Sequence, residues 1–431
     1  MAESENIELM QSGSQPPSQA NVNILALIDS AISKDPMAVP DISRFDQEEI
    51  AISALDVLWD LLGPSEDEVK GINSHRPLPT RALRSLASAL AEKYDIIPQA
   101  FFLPGVRCHE RASRGAGAFT DVYVGQCDGH GRVALKRLRV DMKGRQAHEL
   151  RVLRQFYHES LMWRKLNHEY VLPFLGVSND AFGFAACMVI PWMEKGTIRQ
   201  YVGLLRQDGK LSGKQFVTSI NKWLYQTILG LAYLHNEGLV HGDLHGGNIL
   251  IDDSDNARLT DFSLNTIATK VAEYYYSSKY SAATYQYQAP ELHDPQQFGM
   301  DNVTPMATTA TDIYSFGCVC VELYGQQAPF SGAAYFKVAK DVLDGKRPPR
   351  PSTPDEQPMS DSMWKLTRRC WAQNVSDRPS AKKVAKDLEM IVSGKWSISL
   401  PNALTGTTAT EIPGTPRSMG SWSKIPRILS R

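Results

Sequence analysis

The chain has 431 residues, 42% hydrophobic and 22% charged, enough to bury a sizeable core and too apolar for wholesale disorder. Forty-six basic residues against 47 acidic ones leave a net charge of −1, so no global electrostatic footprint points to nucleic acid. An acidic start (Met1, Ala2, Glu3, Ser4, Glu5), no apolar run of membrane-spanning length and six scattered cysteines predict no signal peptide, no membrane span and reduced thiols in a cytoplasmic or nuclear compartment.

Residues 1–20, rich in Ser, Gln and Pro, are expected to be disordered. A helical segment over 22–95 follows. Ile24, Leu25, Ile28 and Ile32 repeat at helical spacing and stop before Pro36. Asp46 and Glu49 have the spacing of a capping box ahead of a second helix, with Ile50, Ala54, Leu58 and Leu61 on one face and Gly63-Pro64 as its stop. A third helix starts near Pro79-Thr80 and carries Leu83, Leu86, Leu90 and Tyr94. These apolar faces can close a small bundle, pack on the domain that follows, or meet a protein partner.

From residue 106 the texture changes. Val122–Val124, Val133–Leu135 and Cys187–Ile190 read as strands, interrupted by one helix around Phe156 to Leu166. Beyond 195 the pattern is helical: a long helix through Trp223, Gln226, Thr227, Gly230, Leu231 and Leu234, then Ile313–Tyr324 and Ala381–Val392. A β-rich part followed by a helical part predicts an α+β architecture of two lobes around a cleft, 106–190 and 194–393. Residues 396–431, with 11 Ser or Thr, four basic residues and one acid, read as a disordered, phosphorylatable tail.

Three stretches carry chemistry. In Gly115-Ala116-Gly117-Ala118-Phe119-Thr120-Asp121-Val122, glycines let the backbone approach phosphate oxygens and aim N–H groups at them. Lys136 closes the apolar run Val133-Ala134-Leu135, and an ammonium there needs a phosphate and a carboxylate; Glu159 is the candidate carboxylate. The densest cluster is His241-Gly242-Asp243-Leu244-His245-Gly246-Gly247-Asn248, followed by Asp261-Phe262-Ser263. Phosphoryl transfer needs a carboxylate to orient the attacking hydroxyl, which suits Asp243, and hard oxygen ligands for magnesium, which suit Asn248 and Asp261. A zinc-protease reading fails, because Gly242 stands where the His-x-x-x-His helix needs Glu. Cys318 and Cys320, two apart on a helix, diverge and make poor co-ligands.

Together these stretches resemble the protein-kinase signature set over residues 106–393. Ala289-Pro290-Glu291 resembles the end of an activation segment, Asp312 the aspartate that braces the catalytic loop, and Arg378 the ion-pair partner of Glu291. Cys370-Trp371 with Asp377-Arg378-Pro379 is similar to the tyrosine-kinase-like branch. Trp163-Arg164-Lys165-Leu166-Asn167-His168 and Pro191-Trp192-Met193 look like fungal members of it. The resemblance implies a bilobal kinase fold, ATP and Mg2+ as cofactors and a protein substrate. By residue it implies that Gly115, Gly117 and Val122 cover the nucleotide, and that Ala134 and Leu250 sandwich the adenine. Ile190 would be the gatekeeper, with Trp192 and Met193 in the hinge. Lys136 would pair with Glu159 and the phosphates, Asp243 would be the base, and Asn248 and Asp261 would hold magnesium.

The chain departs from that pattern at Arg114, expected to crowd the adenine roof, and at Thr120 in place of the third glycine. Gly242 replaces the arginine that reads activation-loop phosphate, Ser263 replaces a glycine, and His245 replaces the catalytic-loop lysine. A free imidazole changes charge near pH ~6.5. No metal ligand, base, Lys136 or Glu159 is lost, which favours an active enzyme over the alternative, a pseudokinase scaffold. Thr284, seven residues before Glu291, matches the threonine of serine/threonine kinases.

Overall fold

The computed structural model describes residues 19–32, 39–62, 80–94, 101–116, 120–138, 156, 160–161, 163, 166–183, 185–262, 284–299 and 306–394. The segments 1–18, 117–119 and 396–431, together with Glu159, Ser263 and Tyr274–Tyr280, lie outside the described residues.

Three helices open the fold: α1 (Gln19–Ala31), α2 (Glu48–Leu61) and α3 (Thr80–Tyr94). Ile28, Phe45, Ala54, Leu58, Leu86 and Leu90 are all fully buried, so the apolar stripes close on one another. The buried face of α2 is Ala51, Ala54, Leu55 and Leu58, one step round from the predicted stripe. Ile50 and Leu61 lie at the rim. The predicted capping box is not made: Gln47, not Asp46, is the N-cap, and it has no side-chain cap bond. Lys93 and Tyr94 close the bundle instead by donating to the Phe45 carbonyl.

A six-stranded antiparallel sheet follows, in the order β1-β3-β4-β6-β5, with β2 pairing only β3. The strands are β1 (Val106–Cys108), β2 (Gly115–Ala116), β3 (Thr120–Cys127), β4 (Gly131–Leu138), β5 (Gly176–Ser178) and β6 (Cys187–Pro191). Side chains alternate between faces with period two. The register sets Val122 opposite Lys136, Ala134 opposite Ile190 and Lys136 opposite Met188, so these five share one face. Tyr123, Val133, Leu135, Cys187 and Val189 share the other face, where they form a separate small core. A one-residue slip would exchange the two sets.

The remaining lobe is helical, apart from the hairpin of β7 (Ile249–Ile251) and β8 (Ala257–Leu259). Its helices are α4 (Ile198–Gln207), α5 (Gly213–Asn236), α6 (Pro290–His293), α7 (Thr309–Gly325), α8 (Tyr335–Leu343), α9 (Asp361–Cys370) and α10 (Ala381–Val392). Helix α7 is apolar on nearly every side and is buried from Thr311 to Tyr324 except at Ser315, so it forms the centre of the lobe. Its start is fixed by Thr308, whose side chain accepts from the Thr311 N–H while Thr311 bonds back. Helix α5 packs along α10 on one side and β8 on the other. No described helix is long and apolar enough to cross a membrane.

Candidate active site

The cleft between sheet and helices is lined from both lobes. On the sheet side, Gly115 pairs with Val122, so β2 and β3 form a hairpin over the cleft face. Among the described residues, a side-chain carbon at Gly115 would meet nothing within 4 Å. Arg114 does not crowd this roof. It turns outward to Glu110, with Nε–O 2.9 Å and Nη2–O 2.6 Å, while Glu110 also accepts the Val124 N–H. Ala134 and Ile190 are buried on the cleft face, and Val122, Leu250, Trp192 and Met193 are partly buried against the same core. The N–H of Trp192 reaches back to the Arg132 carbonyl, and the Met193 carbonyl accepts from Gly196.

Lys136, at the inner end of β4, is buried and makes an ion pair with Asp261. Burial pulls its ammonium down to about 7, and the Asp261 carboxylate works in the opposite direction. Asp261 follows β8 with a φ of 62°, a left-handed conformation that is strained for a residue with a side chain. That bend turns its carboxylate to Lys136, 125 positions away in sequence.

The loop from His241 to Asn248 is held from beneath by α7. Asp312, almost wholly buried, accepts from the N–H of His241 and of Gly242 at 2.8 Å each, and His235 Nε2 lies 2.8 Å from the same carboxylate. Gly242 has a φ of 76°, which glycine adopts freely. Glu322, one helical face further along α7, accepts from the Gly246 N–H at 2.9 Å and pairs with Arg199 of α4. Neither Glu322 nor Arg199 is legible as a site residue in sequence, since neither lies in a motif.

Within the loop, His241 Nδ1 accepts from the Asp243 N–H at 3.3 Å, and burial keeps this imidazole neutral by lowering its pKa. His245 Nδ1 accepts from the Gly247 N–H at 2.9 Å, which assigns the ring proton to Nε2. Nε2 stands 3.7 Å from the Asp243 carboxylate. Burial opposes ionisation of Asp243, but the adjoining polar groups of His245, His241 and Thr284 hold its pKa below the ordinary carboxylate value. The Asn248 amide donates to the Asp243 carbonyl at 2.9 Å, which fixes the amide and leaves its oxygen as the acceptor. Thr260, next to Asp261, donates its N–H to the Asn248 carbonyl at 3.0 Å, so Asn248 and Asp261 are tied by adjacent backbone.

The structure therefore brings Lys136, Asp243, His245, Asn248 and Asp261 into one connected network. Gly117, Ala118, Phe119 and Glu159 fall outside the described residues. Ala116 is paired in β2. A Cβ at Gly246 would stand 2.7 Å from the Glu322 carboxylate, so that carboxylate, held by Arg199 and the Gly246 N–H, would have to shift. Gly246→Ala is expected to lower stability by about 1–3 kcal/mol through overpacking, read as the midpoint of urea unfolding.

Chemically, the network offers a carboxylate kept ionised, two hard oxygen donors, and a buried cation. This donor set fits magnesium better than zinc, because oxygen ligands dominate. Among the described residues no group of three or more His, Cys, Asp or Glu gathers as a self-sufficient metal cage.

A family model described as protein tyrosine and serine/threonine kinase matches residues 109–388. The serine/threonine/tyrosine-protein kinase HT1 of Arabidopsis thaliana is 26% identical over 258 residues, 60% of each chain. The dual specificity protein kinase pyk3 of Dictyostelium discoideum is 28% identical over 281 residues, 65% of this chain and 18% of its own. The serine/threonine-protein kinase mos of Patiria pectinifera is 27% identical over 281 residues, 64% of this chain and 72% of its own. The chain thus spans 60% or less of the length of the first two of these relatives.

Proposed function

Because this chain belongs to the protein tyrosine and serine/threonine kinase family, we propose that it is an active enzyme that transfers the γ-phosphoryl group of ATP to a serine or threonine hydroxyl of a protein substrate. The observation that carries this reading is the convergence of Asp243, Asn248, Asp261 and Lys136 at one cleft, with Asp243 held in its ionised form. Magnesium-bound ATP, when present, supplies the phosphoryl group and the charge that shields it.

The chain's own residues have distinct tasks in this proposal. Asp243 accepts the substrate hydroxyl proton. Asn248 and Asp261 hold magnesium through oxygen. Lys136 binds the phosphates, with Glu159 as its second carboxylate partner. His245 donates its Nε2 hydrogen toward the site that the family's lysine serves. Gly115, Ala116, Gly117, Ala118, Phe119 and Val122 cover the triphosphate, Ala134 and Leu250 enclose the base, and Ile190, Trp192 and Met193 line its inner edge. Catalysis is then mainly positioning and charge neutralisation.

The nearness of Thr284, which helps to hold the Asp243 pKa down, supports a serine or threonine acceptor, since Thr284 then borders the base where the substrate hydroxyl must arrive. Cys370-Trp371 and Asp377-Arg378-Pro379, with plant and slime-mould relatives, support the tyrosine-kinase-like branch. The fungal likeness of individual phrases has no support in these relatives. All six cysteines are free thiols, five of them buried, which suits a reducing compartment such as the cytoplasm.

Thermal unfolding of the full chain with ATP and magnesium tests the nucleotide part of the reading. A bound ligand raises stability by mass action. A rise that Lys136→Met weakens is the expected result; no rise at millimolar nucleotide would leave a scaffold. A second expectation concerns pH. His245 lowers the Asp243 pKa, so His245→Ala raises it and moves the acid limb of kcat/KM to higher pH. An unmoved limb would remove His245 from the account.

A further inference from the structure

A continuous file of aromatic rings runs from the N-terminal helices to the catalytic loop. Trp59 of α2 meets Phe101 edge-on at 5.7 Å. Phe101 meets Phe174 at 5.7 Å, and Phe174 meets Trp163 at 6.0 Å and 87°. Trp163 leans on Phe262 at 4.4 Å, and Phe262 meets His241 at 6.2 Å. Spacings of this kind are those that aromatic pairs prefer. Apart from Trp59, every ring in the file is buried.

The two ends of this file matter for different reasons. At the inner end, Phe262 directly follows Asp261, and His241 stands two positions before Asp243. The rings therefore anchor the backbone on which both carboxylates sit. Trp163 has a buried Nε1–H with no acceptor among the described residues, while the rings of Phe174 and Phe262 pack against it. At the outer end, the bundle holds both lobes. Phe102 bridges Val177 beside β5, with the Leu103 N–H on the Val177 carbonyl at 2.7 Å. Arg84 of α3 forms an ion pair with Glu237 at the end of α5, and Arg81 packs over Gly238 so closely that a Cβ there would lie 2.6 Å from the guanidinium.

We propose that Trp59 and Phe101 are positioning residues for phosphoryl transfer: through Phe174 and Trp163 they fix Phe262, and with it the Asp261 carboxylate. The N-terminal bundle is then a built-in brace of the catalytic centre. Close-packed interiors do not deform smoothly, so a missing ring at the outer end lets the next ones move as a set. This inference rests on the kinase reading above for its rate readout, but not for its structural one.

The test uses the full chain labelled with 5-fluorotryptophan, the Trp163 resonance being assigned by Trp163→Phe. Phe101→Leu keeps apolar bulk and removes the ring, so the variant folds. It is expected to shift or broaden the Trp163 signal and to lower kcat about tenfold or more with peptide KM unchanged, as small misplacements of reacting groups do. Trp59→Ala should do the same, and Trp59→Phe should restore both readouts. A Trp163 resonance and a kcat that stay at wild-type values in Phe101→Leu and Trp59→Ala would overturn the proposal. If the unaltered chain transfers no phosphate, the kinase reading falls, and the fluorine signal alone decides this one.

Discussion

Asp243→Asn is expected to reduce phosphoryl transfer by about 100- to 10,000-fold, the usual contribution of a positioned acid–base group, while magnesium–ATP still raises the melting temperature. The two side chains are nearly the same shape, and the bond from Asn248 to the Asp243 backbone carbonyl does not depend on the carboxylate. What changes is the ability to accept a proton. The loop itself stays braced, because Asp312 and Glu322 bind it through the N–H groups of residues 241, 242 and 246. Turnover of the variant measured beside its nucleotide-induced melting shift separates the two effects. Unchanged turnover would remove Asp243 from the role of base; loss of the melting shift as well would mean that the substitution disturbs the whole cleft.

The largest stability effect is expected at Arg378. Its guanidinium makes two parallel bonds to the Glu291 carboxylate, at 2.5 and 2.7 Å, and both side chains are 1% exposed or less. It also donates to the carbonyls of Ala372 and Ala310 and lies 5.2 Å from the centre of the Tyr314 ring. Arg378→Leu leaves a carboxylate buried without its cation, which costs about 3–5 kcal/mol. Removing both charges together, as Glu291→Leu with Arg378→Leu, is expected to recover a large part of that loss, because a buried ion pair gains little over apolar groups of similar size. Urea unfolding of the two single variants and the double variant measures the coupling. Equal losses in the Arg378 single and the double variant would contradict the account.

The motifs were legible because their meaning is local. Asp243 and Asn248 lie five positions apart, and the loop that carries them needs only glycines and a hairpin to present both. The cleft face of the sheet follows from alternation: once Val122 and Lys136 are opposite, Ala134 and Ile190 have one place to go. The Glu291–Arg378 pair was legible only through resemblance, since 87 residues separate the partners. Glu322 is not legible because one of its partners is a backbone N–H, which leaves no trace in residue identity, and the other, Arg199, lies 123 positions away. Arg114 was misjudged for a similar reason: the clash expected from its size is relieved by Glu110, which accepts its guanidinium on the solvent side. Strands β1, β2 and β5 are two or three residues long, too short for a period to be read. Phe101 and Phe102 stand in sequence as an unremarked apolar pair before Pro104-Gly105. Their partners, Trp59 and Phe174, lie 42 and 73 positions away from Phe101, and only the fold brings them together.

The account stands on the capacity of this cleft to move a phosphoryl group. Purified full chain, incubated with γ-labelled ATP and a basic peptide carrying serine, threonine and tyrosine, is followed by phosphoamino-acid analysis. The predicted result is magnesium-dependent label on serine or threonine, absent from Lys136→Met and Asp243→Asn. Label of the same intensity in all three proteins, or none from a chain that binds magnesium–ATP, would contradict it.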